Sequence, residues 1–287
     1  MYHTVKPGDS LAAIAAKYGV TLNNLLAENP RLKANPDAIF PGQAISIPGD
    51  FPTAPATEPG TAAATTEAGP AVGGRDQSLD KNAFTVPFGQ LTFDAEGMEE
   101  EGPYFSRVLH VPTATSGATI GRGYDMKERS EAGIIEDLTH AGVRLAKATK
   151  FAQLRGLQGK KAKEKIKQLG LRDEKISAKQ QRLLFMITYQ ELEGDVERIC
   201  TKADVVAKYG ACQWAALHPA IRDVVVDLRY RGDYTPATRE RVQPLLVVND
   251  LNQLAKLMAD KDYWVNSRGM PQDRFKRRKA YIAKATV

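Results

Sequence analysis

Apolar residues recur at helical spacing through most of the chain after residue 130. A helix opening at Ser130 or Glu131 would carry Ile134, Leu138 and Ala141 on one face. Further helix starts are indicated by Ser177 with Gln180, His218-Pro219, Thr235-Pro236, Asp250 and Pro271. The helix after Ser177 has an apolar centre over 183–187, which predicts that it is the buried core of a helical lobe.

A different pattern occupies residues 2–48. A short strand at 2–5 precedes a turn and a helix with Leu11, Ile14 and Tyr18 on one face, which Gly19 ends. A second helix follows Thr21, and Pro41-Gly42 turns the chain into a strand over 44–47. The predicted order is therefore strand, helix, helix, strand.

Between these regions, residues 50–82 are rich in Pro, Ala, Thr and Gly and poor in residues that form a core. Such a composition predicts a flexible linker. The chain is therefore divided into residues 1–49, the linker 50–82 and a larger domain, 83–287. The predicted fold class is α+β, since a small β lobe over about 96–125 precedes the helices of the larger domain.

Charge is uneven along the chain. The net charge is +6, and residues 83–287 hold 34 basic against 26 acidic side chains, including a lysine-rich stretch from Lys160 to Lys167. A basic domain suits an anionic polymer such as the bacterial wall. It would equally suit nucleic acid, but the interleaved aromatic residues of a nucleic-acid surface are absent, so no nucleic-acid partner is expected.

Several classes of protein do not fit the sequence. No apolar run of 18 residues and no signal-peptide pattern is present, so we expect no membrane span and export by cell lysis or a dedicated secretion machinery. The histidines lie far apart and no metal-binding spacing occurs, so neither a metal nor another cofactor is expected. Cys200 and Cys212 favour two buried thiols over a disulfide.

The opening Y-x-V-x-x-G-D-S-L and the closing P-G-Q-x-I-x-I-P of residues 2–48 resemble a LysM module over nearly its full length. LysM modules bind glycans that contain N-acetylglucosamine, in a shallow groove between two loops. The resemblance implies binding at Gly8, Asp9, Ser10 and Leu11 on one side, and at Asn29, Pro30 and Ile39 on the other. Asp9 and Ser10 can also serve as helix caps.

The candidate chemistry lies in residues 94–126. Glu96 precedes Gly97 at a predicted helix end, and residues 118–125 alternate like one strand, which would put Thr119, Gly121, Gly123 and Asp125 on a single face. Two carboxyl groups and a hydroxyl could then face one cleft. Glycoside hydrolysis needs one carboxylic acid to protonate the leaving oxygen and a second carboxylate on the other side of the bond.

This segment resembles the lysozyme-like muramidase domain of the bacteriocin pesticin and its relatives. In that family an E-G pair at a helix end is followed by T-I-G-x-G-Y-D, and the catalytic Glu, Thr and Asp fall on Glu96, Thr119 and Asp125 with matching intervals. Gly121 and Gly123 would let a sugar approach the backbone, and Tyr124 would stack on a ring. Other interpretations stay open: Glu96 can be a plain helix end, and one of Glu99, Glu100 and Glu101 can replace it.

Together the resemblances imply a peptidoglycan hydrolase that cuts the β-1,4 bond between N-acetylmuramic acid and N-acetylglucosamine. Two alternatives remain: a lytic transglycosylase on the same fold, and a non-catalytic wall-binding protein. The expected site of action is the cell wall in the periplasm of a target or host cell, or outside the cell after secretion. A bacteriolytic toxin or effector would need an immunity protein that blocks the cleft, whereas a phage endolysin would not.

Overall fold

The computed structural model describes residues 2–5, 9–29, 32, 39, 44–48, 81–102 and 105–286. The chain divides into two compact units, residues 1–81 and 82–287. The predicted linker, 50–82, lies outside the described residues except for its last two, which begin a 3₁₀ helix at Lys81–Phe84.

The N-terminal unit has the predicted strand-helix-helix-strand order. Strand β1 (Tyr2–Thr4) pairs with β2 (Ala44–Ser46) in antiparallel register, His3 opposite Ile45. Between them lie α1 (Leu11–Lys17) and α2 (Leu22–Glu28). Ser10 and Thr21 cap these helices, as their positions before the apolar pattern predict. A small core holds the unit together, formed by Val5, Leu11, Ile14, Ala15, Leu25, Leu32, Ile45 and Ile47.

Asn29 joins the end of α2 to β2. Its amide nitrogen donates to the carbonyls of Leu25 at 2.7 Å and Ser46 at 2.6 Å, and its oxygen accepts from the Ser46 amide at 2.9 Å. The side chain is only 4% exposed. The Asn29 side chain therefore satisfies both backbone groups of Ser46 and gives the Leu25 carbonyl a second donor beside the Asn29 backbone N–H.

We expect Asn29→Ala to destabilise the N-terminal unit by about 1–3 kcal/mol, because it removes the side-chain partner of both part-buried backbone groups of Ser46. The measurement is sedimentation of the full chain with purified peptidoglycan over a urea series. Asn23→Ala, at an exposed position of α2, is the matched control. Equal retention of both variants at every urea concentration would contradict the assignment.

The C-terminal unit is mainly helical, with a small two-stranded sheet, which is consistent with the α+β class. Its helices are α3 (Gln90–Ala95), α4 (Glu131–His140), α5 (Leu145–Ala152), α6 (Gly159–Gln168), α7 (Ala178–Cys200), α8 (Ala203–Tyr209), α9 (Pro219–Arg231), α10 (Pro236–Val247), α11 (Leu251–Met258) and α12 (Gln272–Ala285). A 3₁₀ turn spans Trp214–Ala216 and a π-helical turn spans Asp262–Ser267. None of the helices in the described residues is both long and apolar enough to cross a membrane.

Helix α7 is the buried centre of this unit, as its apolar middle predicts. Leu183, Leu184, Phe185 and Met186 are each at most 3% exposed. Phe185 meets the ring of Phe93 on α3 edge-on at 5.0 Å and stacks on Tyr230 of α9 at 6.0 Å. Helix α7 therefore fixes where the end of α3 lies relative to α9.

The sheet of this unit is a hairpin of β3 (Thr119–Ile120) and β4 (Tyr124–Asp125). A single bridge adds a third segment, because His110 and Thr119 exchange two backbone hydrogen bonds of 3.0 and 2.8 Å. The described part of the unit thus has a small β lobe before the helices, in the place where the sequence predicts it.

Candidate functional site

Glu96 is the residue that ends α3. Its backbone N–H still donates to Thr92, while its backbone angles have left the helical region. The side chain is 20% exposed and accepts a hydrogen bond from Arg274 of α12. Glu96 is thus a partly accessible carboxylate whose direction is set by an arginine.

Arg274 belongs to a buried ion network. It donates to Asp227 of α9 at 2.9 Å, and Asp227 also accepts from Arg278. Arg278 reaches Asp233 at 2.8 Å. Asp227 is 0% and Arg278 1% exposed, so these charges can be tolerated only because they are paired. The sequence of α12 indicates a solvated basic face, and for Arg274 and Arg278 that prediction is wrong.

Thr119 and Asp125 lie in a hairpin, where the sequence predicts one strand. Gly121 and Gly123 have φ of +64° and +87°, which a continuing strand does not allow, and the chain reverses between them. Thr119 and Asp125 are direct register partners across the hairpin. Directly opposed residues share a face, so the two side chains lie on one side of the sheet as predicted, although for a different reason.

Hydrogen bonds to the local backbone hold both side chains. The carboxylate of Asp125 accepts from the N–H of Gly117 at 3.0 Å and from the N–H of Lys127 at 2.8 Å. The Thr119 hydroxyl donates to the Gly117 carbonyl at 3.3 Å, and its side chain is buried. Asp125 is half-buried. The carboxylate is therefore pre-oriented by the hairpin itself.

Arg122, in the turn of the hairpin, connects the sheet to α3, the helix that Glu96 ends. It is 5% exposed, and its guanidinium lies 3.9 Å from the centre of the Phe93 ring and donates to the Phe93 carbonyl. It also pairs with Glu99 at 2.7 Å. Burial lowers the pKa of Arg122, and the charge of Glu99 opposes this effect. The arginine thereby satisfies a carbonyl at the C-terminus of α3.

Gly97 completes this contact. A Cβ atom there would lie 2.5 Å from both Cζ and Nη1 of Arg122. Ser106 adds a second connection, because its hydroxyl accepts from the Met98 amide at 2.8 Å while its carbonyl accepts from the Gly121 amide at 2.7 Å. The glycine after Glu96 is therefore required for the approach of the hairpin, a reason that goes beyond ending a helix.

We expect Gly97→Ala to lower the free energy of unfolding by about 1–3 kcal/mol, because the new methyl group overlaps the Arg122 guanidinium. Gly102→Ala is the matched control, since a Cβ at Gly102 meets nothing within 4 Å. Urea unfolding followed by tryptophan fluorescence measures both. A Gly97→Ala variant as stable as the control would contradict the contact.

Tyr230 lies between Glu96 and the hairpin. Its hydroxyl donates to the Arg122 carbonyl, and its ring would be 2.8 Å from a Cβ placed on Gly123. Burial raises the pKa of Tyr230, and the charge of Glu96 raises it further. Tyr230 therefore stays protonated and serves as a fixed donor within the electrostatic reach of Glu96.

Three predicted sugar contacts in the hairpin have other roles in the structure. Tyr124 is 1% exposed, its hydroxyl donates to Asp137 at 2.6 Å, and Arg129 covers its ring at 4.1 Å. A sugar needs an exposed aromatic face, so the interpretation of Tyr124 as a stacking residue is wrong. Gly121 is buried and shapes the turn, whereas Gly123 packs against Tyr230 but is exposed, so a sugar contact at Gly123 stays a prediction.

The three glutamates at positions 99–101 lie in different environments. Glu99 pairs with Arg122 and with Arg107 at 3.2 Å, and it accepts from Gln181 at 2.6 Å, so it is a structural ion-pair partner. Glu100 and Glu101 are exposed, and Glu101 pairs with Lys175, which lowers the pKa of Glu101. A run of three glutamates is typical of a solvated acidic loop, and this interpretation holds for Glu100 and Glu101 but not for Glu99.

In the N-terminal unit, the Asp9 carboxylate accepts a hydrogen bond from Nε2 of His3 at 2.7 Å, and Ser10 is an exposed helix cap. Leu11 is 3% exposed and Asn29 is the bridging residue described above, so a sugar can meet only their backbone groups. Ile39 is half-buried against the core. Gly8 and Pro30 lie outside the described residues.

Asp227, Arg274 and Tyr230 are the site residues that the sequence analysis missed. One signal was present, since Asp227 follows Val224 by three positions and precedes Leu228, inside the apolar stripe of α9. A charged residue in such a stripe indicates a buried partner. Among the described residues, no group of three or more His, Cys, Asp or Glu side chains is placed to hold a metal ion.

The chain thus consists of a small strand-helix-helix-strand unit and a separate, mainly helical unit. A LysM domain family model matches residues 3–48, which supports peptidoglycan binding and association with the cell wall. A second model matches residues 89–279, and the chain belongs to that family, described as Domain of unknown function (DUF8812).

Proposed function

We propose that residues 82–287 form a muramidase domain that hydrolyses the β-1,4 bond between N-acetylmuramic acid and N-acetylglucosamine. The observation that supports it most is the connection between the hairpin and the end of α3. Thr119 and Asp125 are opposed across a hairpin, and Arg122 in that hairpin is bonded to the end of the helix that carries Glu96. A pair of carboxyl groups on a rigid frame is what glycoside hydrolysis requires.

In this proposal Glu96 donates a proton to the glycosidic oxygen as the bond to the muramic acid C1 breaks. Arg274 keeps its side chain directed. Asp125 stabilises the oxocarbenium-like transition state and accepts a proton from the attacking water, which the Thr119 hydroxyl helps to orient. The held geometry of Asp125 reduces the reorganisation needed at the moment of reaction.

The LysM module contributes by tethering. A weak glycan-binding module joined to a catalytic domain raises the local concentration of that domain along its polymer without adding any new contact. The LysM match over residues 3–48 therefore favours a polymeric wall substrate over a soluble oligosaccharide.

A lytic transglycosylase is the second candidate. Both oxygens of Asp125 already accept backbone N–H groups, which favours a structural role for this residue. A lytic transglycosylase needs no second carboxylate, because the muramic acid C6 hydroxyl attacks C1 and a 1,6-anhydro end results. Glu96 would then act alone as acid and base.

The test is mass spectrometry of the soluble products from purified peptidoglycan digested in ¹⁸O-labelled water. A hydrolase releases reducing muropeptides that carry one ¹⁸O at C1 and react with borohydride. A transglycosylase releases anhydro-muropeptides without label. Absence of soluble products, with sedimentation on peptidoglycan intact, would leave a non-catalytic wall-binding protein.

A further inference from the structure

We propose that a groove beside the hairpin binds the carboxylate-bearing peptide stem of peptidoglycan; this inference rests on the proposed wall substrate. The groove has a volume of about 400 Å³ and lies between residues 109–112 and helix α6. Its apolar lining comes from Leu109, Val111 and Ile166, and its polar lining from His110, Lys163 and Arg172.

The charge of the groove is positive and unneutralised. Lys163 and Arg172 are exposed, and in the described part of the chain neither makes an ion pair or hydrogen bond. Two other lysines of α6 have partners: Lys160 lies 3.8 Å from Glu164, and Lys165 donates to Gln168 at 3.2 Å. Two unpaired cations at the edge of an apolar groove are suited to an anionic ligand with an apolar part.

His110 adds a group suited to a peptide. Its Nδ1 lies 3.0 Å from the Val108 carbonyl, which can only accept, so Nδ1 is the donor. In the neutral ring Nε2 is then an acceptor, and a peptide N–H can bond to it. A peptide stem offers N–H groups, small apolar side chains and free carboxylates, and the groove has a counterpart for each of these.

The position of the groove relative to the candidate site also fits a stem. His110 lines the groove and is bonded through its backbone to Thr119, and paired strands lie ~4.8 Å apart. An extended peptide spans ~3.3–3.6 Å per residue, so a stem of about four residues reaches ~13 Å. A stem on a muramic acid bound near Thr119 can therefore enter the groove while remaining attached to its sugar.

The variant Lys163→Gln/Arg172→Gln tests the proposal. Its charge-matched control is Lys161→Gln/Lys179→Gln, since both of these lysines are exposed and neither lines the groove. The substrates are peptidoglycan with its stems and glycan strands whose stems an amidase has removed. We expect the groove variant to raise KM for stem-bearing peptidoglycan by about fivefold to tenfold. The groove variant should keep the wild-type KM for bare glycan strands. The control variant should keep the wild-type KM for both substrates.

A binding measurement separates this proposal from the proposed function. The probe is a soluble muramyl tetrapeptide with D-glutamate and a terminal D-alanine, titrated into the full-length chain by NMR. We expect binding by wild type and by the control variant, and a fivefold to tenfold weaker Kd for the groove variant. If the stem binds in this way but no peptidoglycan is cleaved, the proposed function fails and the groove inference stands.

Two results would overturn the inference. One is equal binding of the tetrapeptide by wild type and the groove variant, with or without catalysis. The other is binding of poly(glycerol phosphate) that the groove variant loses, together with no binding of the tetrapeptide, which would assign the groove to a phosphate polymer.

Discussion

Replacing Glu96 with glutamine is expected to reduce the release of soluble muropeptides by about 10²–10⁴-fold, the usual contribution of a general acid. Glutamine cannot donate the proton that the leaving oxygen needs. Its amide oxygen can still accept from Arg274, and Arg274 keeps Asp227 as a partner, so the fold should be retained. Initial rates of muropeptide release at saturating peptidoglycan measure this effect.

Glu101→Gln is the matched control for that experiment. Glu101 lies five residues further along the same segment, is 78% exposed and pairs only with Lys175 among the described residues. Its activity should match wild type within a factor of two. A Glu96→Gln variant as active as this control would remove Glu96 from the mechanism, since both carry the same chemical change.

The largest effect on stability is expected for Asp227→Asn, with a loss of about 3–5 kcal/mol in the free energy of unfolding. Asp227 is fully buried and accepts from both Arg274 and Arg278, so the change leaves two buried guanidinium groups short of negative charge. Activity should fall as well, because Arg274 then no longer holds a fixed position beside Glu96.

Tryptophan fluorescence during urea unfolding reports this effect specifically. Both tryptophans of the chain, Trp214 and Trp264, are buried in the C-terminal unit, so the LysM unit contributes no tryptophan signal. Asp173→Asn, at an exposed position, should stay within about 0.5 kcal/mol of wild type. A loss of less than about 1 kcal/mol for Asp227→Asn would show that the network is not needed for stability.

Local chemistry explains which parts of the fold could be predicted. The helix starts after Ser130, Ser177, Thr235 and Asp250 are all confirmed, because a cap is a contact between residues three positions apart. The hairpin was missed for an equally local reason. Glycines at 121 and 123 permit either a continuous strand or a reversal of the chain direction. Only the contacts of the turn with Ser106 and Tyr230 select the reversal.

The environment of the candidate site depends on contacts between distant residues. Arg274 lies 178 positions after Glu96 and 47 after Asp227, and no pattern within α12 distinguishes it from its solvated neighbours. Tyr124 failed as a sugar contact for the same reason. An aromatic residue next to a glycine suits either stacking or a core, and the approach of Arg129 and Asp137 decides for the core.

The fit of Gly97 against Arg122 predicts a pattern of covariation among related sequences. The two residues lie 25 positions apart in the chain and share one small volume, in which a guanidinium occupies the space that a β-carbon would need. Homologues that gain a side chain at the position of Gly97 should therefore carry a shorter residue at the position of Arg122. Where the arginine is retained, the glycine should be retained with it.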